Sequence, residues 1–119
     1  MIRTILVNAA LLLGLASASA GCSRAQVVCD IICECEHCSD EDEIQTCEQF
    51  ATRESVADAY DCGDAWATYT TCIEEQGKCD EKEARYSTIN DNNNDVCEDE
   101  KNALDSCIDA ASAHGGARF

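Results

Sequence analysis

The sequence predicts a mostly α fold: a small, disulfide-stapled helical domain with an antiparallel helical hairpin, residues about 54–75 and 95–111, preceded by N-terminal helices. Three observations carry this. The 119 residues contain no proline, and no stretch alternates apolar and polar side chains for long, which argues against strands. Apolar residues instead recur every three or four positions in several segments. Eleven cysteines, about 9% of the chain, lie in the range of a disulfide scaffold.

The first helix is expected over residues 24–34, where Val27, Val28, Ile31 and Ile32 flank Cys29 and Cys33. These cysteines, four apart, share a helical face. A second helix is capped by Ser39 or Asp40, with Asp40 to Glu43 at its positive end and Ile44, Cys47 and Phe50 at helical spacing. The third carries Val56, Ala59, Tyr60, Gly63, Trp66, Tyr69, Cys72 and Ile73 over residues 54–75, with Gly63 as a weak point and Gly77 as a stop. The fourth carries Val96, Cys97, Leu104, Cys107 and Ile108, and Asp95 with Glu98 has the spacing of a capping box. Residues 78–94 read as a connection that ends in the turn-forming run Asn90-Asp-Asn-Asn-Asn-Asp95. The expected organisation is a signal peptide at 1–21, a tether at 22–27, a disulfide-rich helical domain at 28–112 and a flexible tail at 113–119.

Cysteine spacing is the most informative pattern. Nine residues separate Cys62 from Cys72, and nine separate Cys97 from Cys107. Ten helical residues turn through about 1000°, so the two sulfurs of each segment lie within roughly 80° of one another and about 15 Å apart. Two such helices packed antiparallel can form two rungs, Cys62 with Cys107 and Cys72 with Cys97. This resembles the twin CX9C hairpin of the coiled-coil-helix–coiled-coil-helix proteins. The resemblance rests on spacing alone, spans residues 62–107 and implies the mechanical solution without kinship or shared function. The connection between the two segments is long for that family, whose members typically work in the mitochondrial intermembrane space. Cys79 lies in that connection and is expected to tie it to the N-terminal helices. The pairing of Cys29, Cys33, Cys35, Cys38, Cys47 and Cys79 is otherwise open.

The first twenty residues hold one charged side chain, Arg3, and an apolar run from Ile5 to Ala16. A short basic start, a dozen apolar residues and a small-residue end are the parts of a secretory signal peptide, and the run is too short to span a bilayer, which takes about 20 residues. Ala18-Ser19-Ala20 is a site for the ordinary signal peptidase. Ser19-Ala20-Gly21-Cys22 resembles the lipobox of bacterial lipoproteins, with Ser19 where Leu is usual. That resemblance implies a diacylglyceryl thioether on Cys22, and Ser23 after it implies an outer-membrane address. Parity agrees: acylation consumes Cys22 and leaves ten cysteines, an even set for five bridges.

The formal net charge is −16. All of the acidic residues and all but one of the basic ones follow the apolar start. Such a charge repels nucleic acid and anionic head groups and strains the compact state, which disulfides at roughly 2–4 kcal/mol each would offset.

Chemical motifs are sparse. Cys29, Cys33, Cys35, His37 and Cys38 lie close enough in sequence to bind Zn²⁺ or Cu(I), but in an exported chain disulfides are the better use of those sulfurs. Asp91, Asn93 and Asp95 have the spacing of a calcium loop, yet Val96 stands where Gly is needed and Asn102 where Glu belongs. No Ser/His/Asp arrangement or phosphate loop is present, and neither a cofactor nor a metal is expected. Trp66, Tyr60 and Tyr69 fit a core stripe and, if left uncovered, a binding patch. The sequence-level expectation is a non-enzymatic, lipid-anchored binding or structural module of the cell envelope, held to the membrane through Cys22, with an unidentified protein or ligand as partner and no nucleic acid. The rivals are a metal-binding envelope lipoprotein and a freely secreted cysteine-rich effector or inhibitor.

Overall fold

The structure, a computed structural model, describes residues 23–114. The signal peptide, Cys22 and the last five residues of the tail lie outside them. Among the described residues the order is α1 (Arg24–Glu36), α2 (Asp40–Ala59), α3 (Gly63–Gln76), β1 (Lys78–Asp80), β2 (Arg85–Ser87) and α4 (Glu98–Ala113). The domain is mostly helical and disulfide-stapled. No helix among the described residues is long and apolar enough to cross a membrane.

Helix α1 starts because Ser23 accepts the Gln26 N–H at its hydroxyl, and it stops at His37, whose left-handed backbone (φ 52°) closes the helix on Cys33. Residues 24–27, read from the sequence both as the start of the first helix and as part of a tether, are helical. Ala25 is 1% exposed, so burial of that face outweighs the freedom of a loose end. Ser39 caps α2 by accepting the Asp42 N–H, and four carboxylates fill the first turn, where the helix dipole favours them.

The expected long helix over residues 54–75 is two helices. The chain reverses at Tyr60-Asp61-Cys62, where Asp61 takes φ 57° and the Cys62 N–H reaches back to the Ala57 carbonyl. Gly63 opens α3 instead of weakening its middle. The apolar stripe also shifts by one position in α2: Ala57 is fully buried, whereas Val56 is 38% exposed. Helix α4 begins three residues later than expected. Asp95 caps no helix; its Oδ1 accepts the Cys97 N–H in the turn just before, and Cys97 takes the N-cap position without a side-chain bond. Val96 faces away from the core.

The largest departure is β1–β2, an antiparallel hairpin of two three-residue strands in which Cys79 pairs with Tyr86. Residues 78–87 were expected to be irregular connection. The hairpin is tied down from outside: Cys35 is bonded to Cys79, the Tyr86 N–H donates to Glu36 Oε1, and the Tyr86 hydroxyl donates to the Ile73 carbonyl. Gly77 makes room for the Tyr86 ring, since a Cβ there would overlap it.

Helices α1 and α2 are antiparallel, joined by Cys29–Cys47 and, across their turn, by Cys33–Cys38. Helix α3 turns back along α2, and α4 back along α3. Cys62 is bonded to Cys107 and Cys72 to Cys97, with Cα–Cα distances of 6.0 and 5.8 Å; this is the pairing a twin CX9C hairpin implies. An apolar cluster of Ala25, Ala57, Cys62, Trp66 and Leu104, flanked by Phe50, Tyr60 and Tyr69, fills the end where α2 turns into α3. Trp66 meets Phe50 and Tyr69 at ring-centroid distances of 6.4 and 6.3 Å.

Candidate functional site

Two features of the surface stand apart from the packing of the helices. One is the start of α1. The Arg24 guanidinium donates to Thr70 and Thr71 hydroxyls and to Glu74, the last at 2.8 Å. One oxygen of Glu54 accepts both the Ala25 backbone N–H at 2.8 Å and the Trp66 indole N–H at 2.7 Å. An otherwise unpaired donor of the first helical turn is thereby joined to the core tryptophan through a carboxylate on a third helix.

The other is a concave face formed by the hairpin and residues 88–96. Asp80 Oδ1 accepts the N–H groups of Lys82 and Glu83 to shape the hairpin turn, and Ala84 completes it with φ 47°. Beyond β2 the chain folds on itself: Ile89 bridges Asp95, and Val96 N–H donates to the Thr88 carbonyl. This leaves Ile89 and Val96 exposed, by 56% and 40%, on a face that also carries Lys78, Lys82 and Arg85. Three of the chain's eight basic residues thus gather in a span of eight positions. Asp80, Glu81 and Asp91 share the face and balance them, so it is amphipathic and nearly neutral within a strongly acidic protein. A face of that kind can bind; it presents no nucleophile with an adjacent base.

The residues singled out by sequence fall elsewhere. The Cys29–Cys38 cluster is divided among three disulfides that reach Cys47, Cys79 and back into the cluster itself. Cys29, Asp30 and Cys47 do bring ligand-type atoms within 4.8 Å of one another, but the two sulfurs are bonded together and offer no thiolate. His37 is exposed at the end of α1. All ten cysteines among the described residues are paired. In the asparagine-rich loop, Asn90 Oδ1 accepts the N–H groups of Asn92 and Asn94, so this side chain is turned onto its own backbone. Trp66 is 2% exposed, and Tyr60 and Tyr69 pack on its cluster, so the aromatic stripe is core.

Sequence reasoning missed the concave face because it missed the hairpin. The signal was short: Tyr86-Ser-Thr-Ile89, aromatic and β-branched, after the turn-prone Asp80 to Ala84. Five disulfides belong to an oxidising environment outside the cytosol. Comparison with protein-family models, curated proteins and solved structures finds no match for the chain.

Proposed function

We propose that the protein is an exported, lipid-anchored, acidic module of the cell envelope, in the outer membrane, that acts by binding or by structure and not by catalysis. The observation that carries this reading is the closed set of disulfides. Cys29, Cys33, Cys35, Cys38, Cys47, Cys62, Cys72, Cys79, Cys97 and Cys107 are all consumed in pairs. Cys22, the eleventh, has no cysteine left to pair with. It follows Ala20-Gly21 at the end of an apolar leader, where a lipoprotein carries its acylated residue. Acylation gives that odd sulfur a chemical use, and two or more acyl chains hold a protein on a bilayer stably. The concave face of Lys78, Lys82, Arg85, Ile89 and Val96 is the surface best suited to the partner.

Intact mass spectrometry of the native mature protein, with metabolic labelling by a fatty-acid analogue, tests this. The expected mass begins at Cys22, includes a diacylglyceryl group and rises by ten hydrogens on reduction, two for each of five disulfides. Label that persists in Cys22→Ala, or a mature chain that begins at Gly21 without lipid, overturns the anchor and leaves a secreted protein.

A further inference from the structure

The five disulfides differ in how far a thiolate from solvent can reach them. Of the half-cystines among the described residues, Cys29, Cys33, Cys35, Cys62, Cys72 and Cys97 are buried, and Cys38, Cys47 and Cys107 are half-buried. Among the described residues Cys79 is the one half-cystine that is exposed. It sits in β1, where its neighbours are exposed as well, and it lines the concave face. Thiol–disulfide exchange needs a thiolate to approach one sulfur of the bond, so Cys79 is the open point of the set.

The place of this bond in the covalent network limits what its loss can do. Cys72–Cys97 closes the chain around the hairpin, so the hairpin stays fastened to α3 and to the start of α4 whatever happens at Cys79. Cys29–Cys47 and Cys33–Cys38 hold α1 to α2, and Cys62–Cys107 holds α3 to α4. Among the described residues, Cys35–Cys79 is the one disulfide that joins the hairpin to α1. Without it, two hydrogen bonds still tie the hairpin to the helices, both at Tyr86: its N–H to Glu36 and its hydroxyl to the Ile73 carbonyl. The apolar cluster around Trp66 contains no residue of the hairpin.

We infer that Cys35–Cys79 is a reducible latch on the concave face, a site of thiol–disulfide exchange with a dithiol reductant outside the cytosol. A thiolate of the reductant bonds to Cys79 Sγ as the Cys35–Cys79 bond breaks, and Cys35 leaves as a thiolate that takes up a proton. The second thiol of the reductant resolves the mixed disulfide, and Cys79 leaves in the same way. Two electrons and two protons pass from the dithiol, which becomes a disulfide, to Cys35 and Cys79, which become thiols. The hairpin is then held by Tyr86 alone, and Lys78, Lys82 and Arg85 lose their fixed places beside Ile89 and Val96. This adds a control to the proposed binding face: formed when oxidised, loosened when reduced. It holds with or without a lipid on Cys22.

The test treats the native mature protein with graded dithiothreitol, quenches with N-ethylmaleimide at intervals and maps the labelled cysteines. A species labelled at Cys35 and Cys79 is expected to form about tenfold faster than any other pair of thiols. Hydrogen exchange of that species is expected to speed up about tenfold across residues 78–87 and to stay unchanged across residues 62–70. A different first pair, or all thiols appearing together, overturns the inference. Cys35 and Cys79 labelled first with unchanged exchange at residues 78–87 overturns the latch, since the bond would then control nothing. Faster exchange at residues 62–70 as well overturns it too, since the bond would then hold the whole domain. Label on Cys22 before any reductant is added reports a failed anchor, and is read separately from all of these.

Discussion

The two ends of the bundle are held together by different physics. Where α2 turns into α3, Trp66, Leu104, Ala57 and Ala25 are nearly or fully buried, and a single disulfide, Cys62–Cys107, crosses. At the hairpin end Ile89 and Val96 are exposed, and Cys33–Cys38, Cys35–Cys79 and Cys72–Cys97 close the fold, while Val28, Cys29 and Ile73 lie buried between the two ends. A chain with a formal charge of −16 and few aromatics can fill one core, not two. Covalent bonds take over where apolar area runs out. The end that is stapled and not packed is also the end free to carry a binding face, since its surface residues are not needed for burial.

This contrast can be broken from either side. The largest effect is expected from Trp66→Ala, which opens a cavity in the packed end and leaves Glu54 with one donor fewer. Loss of about 3–5 kcal/mol, read by urea denaturation, is expected, with disulfides unchanged in a peptide map; a loss below 1 kcal/mol would mean that the packed end is not what holds the fold. Replacing Cys35 and Cys79 together by serine removes a closure of 44 residues, about 4 kcal/mol as an upper figure from chain entropy. Hydrogen exchange should then speed up across residues 78–87 and leave the surroundings of Trp66 unchanged, whereas uniform loosening would show that the two ends are one cooperative unit.

The smallest effect is set by pH. Burial of the Tyr86 hydroxyl, with Glu74 nearby, raises its pKa above the usual 10.0. The folded state therefore favours the protonated phenol, which donates to the Ile73 carbonyl. Its contribution, about 1 kcal/mol for one hydrogen bond, is fully present below pH 10 and disappears as pH rises through the raised value. Tyr86→Phe should lower stability at neutral pH by about that amount and flatten the alkaline decline seen by thermal melting; an unchanged alkaline slope would assign the decline to other groups.

The helical hairpin was legible because two signals in the sequence agree: cysteines nine residues apart and apolar residues at helical spacing. The break at Asp61 was not. Both arms face the same apolar cluster, so the stripe runs through the turn with little change of phase, and the residue that takes the left-handed backbone is an aspartate, not the nearby Gly63. The hairpin was hidden for a different reason. Its three-residue strands are too short to show alternation, and what fixes them comes from Cys35 and Glu36, 44 and 50 residues away in the chain. The use of the Cys29–Cys38 cluster was hidden likewise, since it depends on how α1 folds back along α2. Of the concave face, only its basic residues and turn formers were visible; that they meet Ile89 and Val96 is a result of tertiary structure.

The connectivity of the five disulfides has a consequence for how the molecule is made. Taken in order along the chain, no cysteine among the described residues is bonded to its immediate neighbour in that series; even Cys33 and Cys38 have Cys35 between them. A chain that entered an oxidising compartment from its N-terminus and joined each thiol to the next as it emerged would make five bonds, all of them wrong. The native set is reached only if helices form and collapse before oxidation is complete, or if mispaired sulfurs are exchanged through mixed disulfides until they find their partners. Yield in a host without a disulfide isomerase is therefore a kinetic problem of sorting, separate from how stable the finished molecule is.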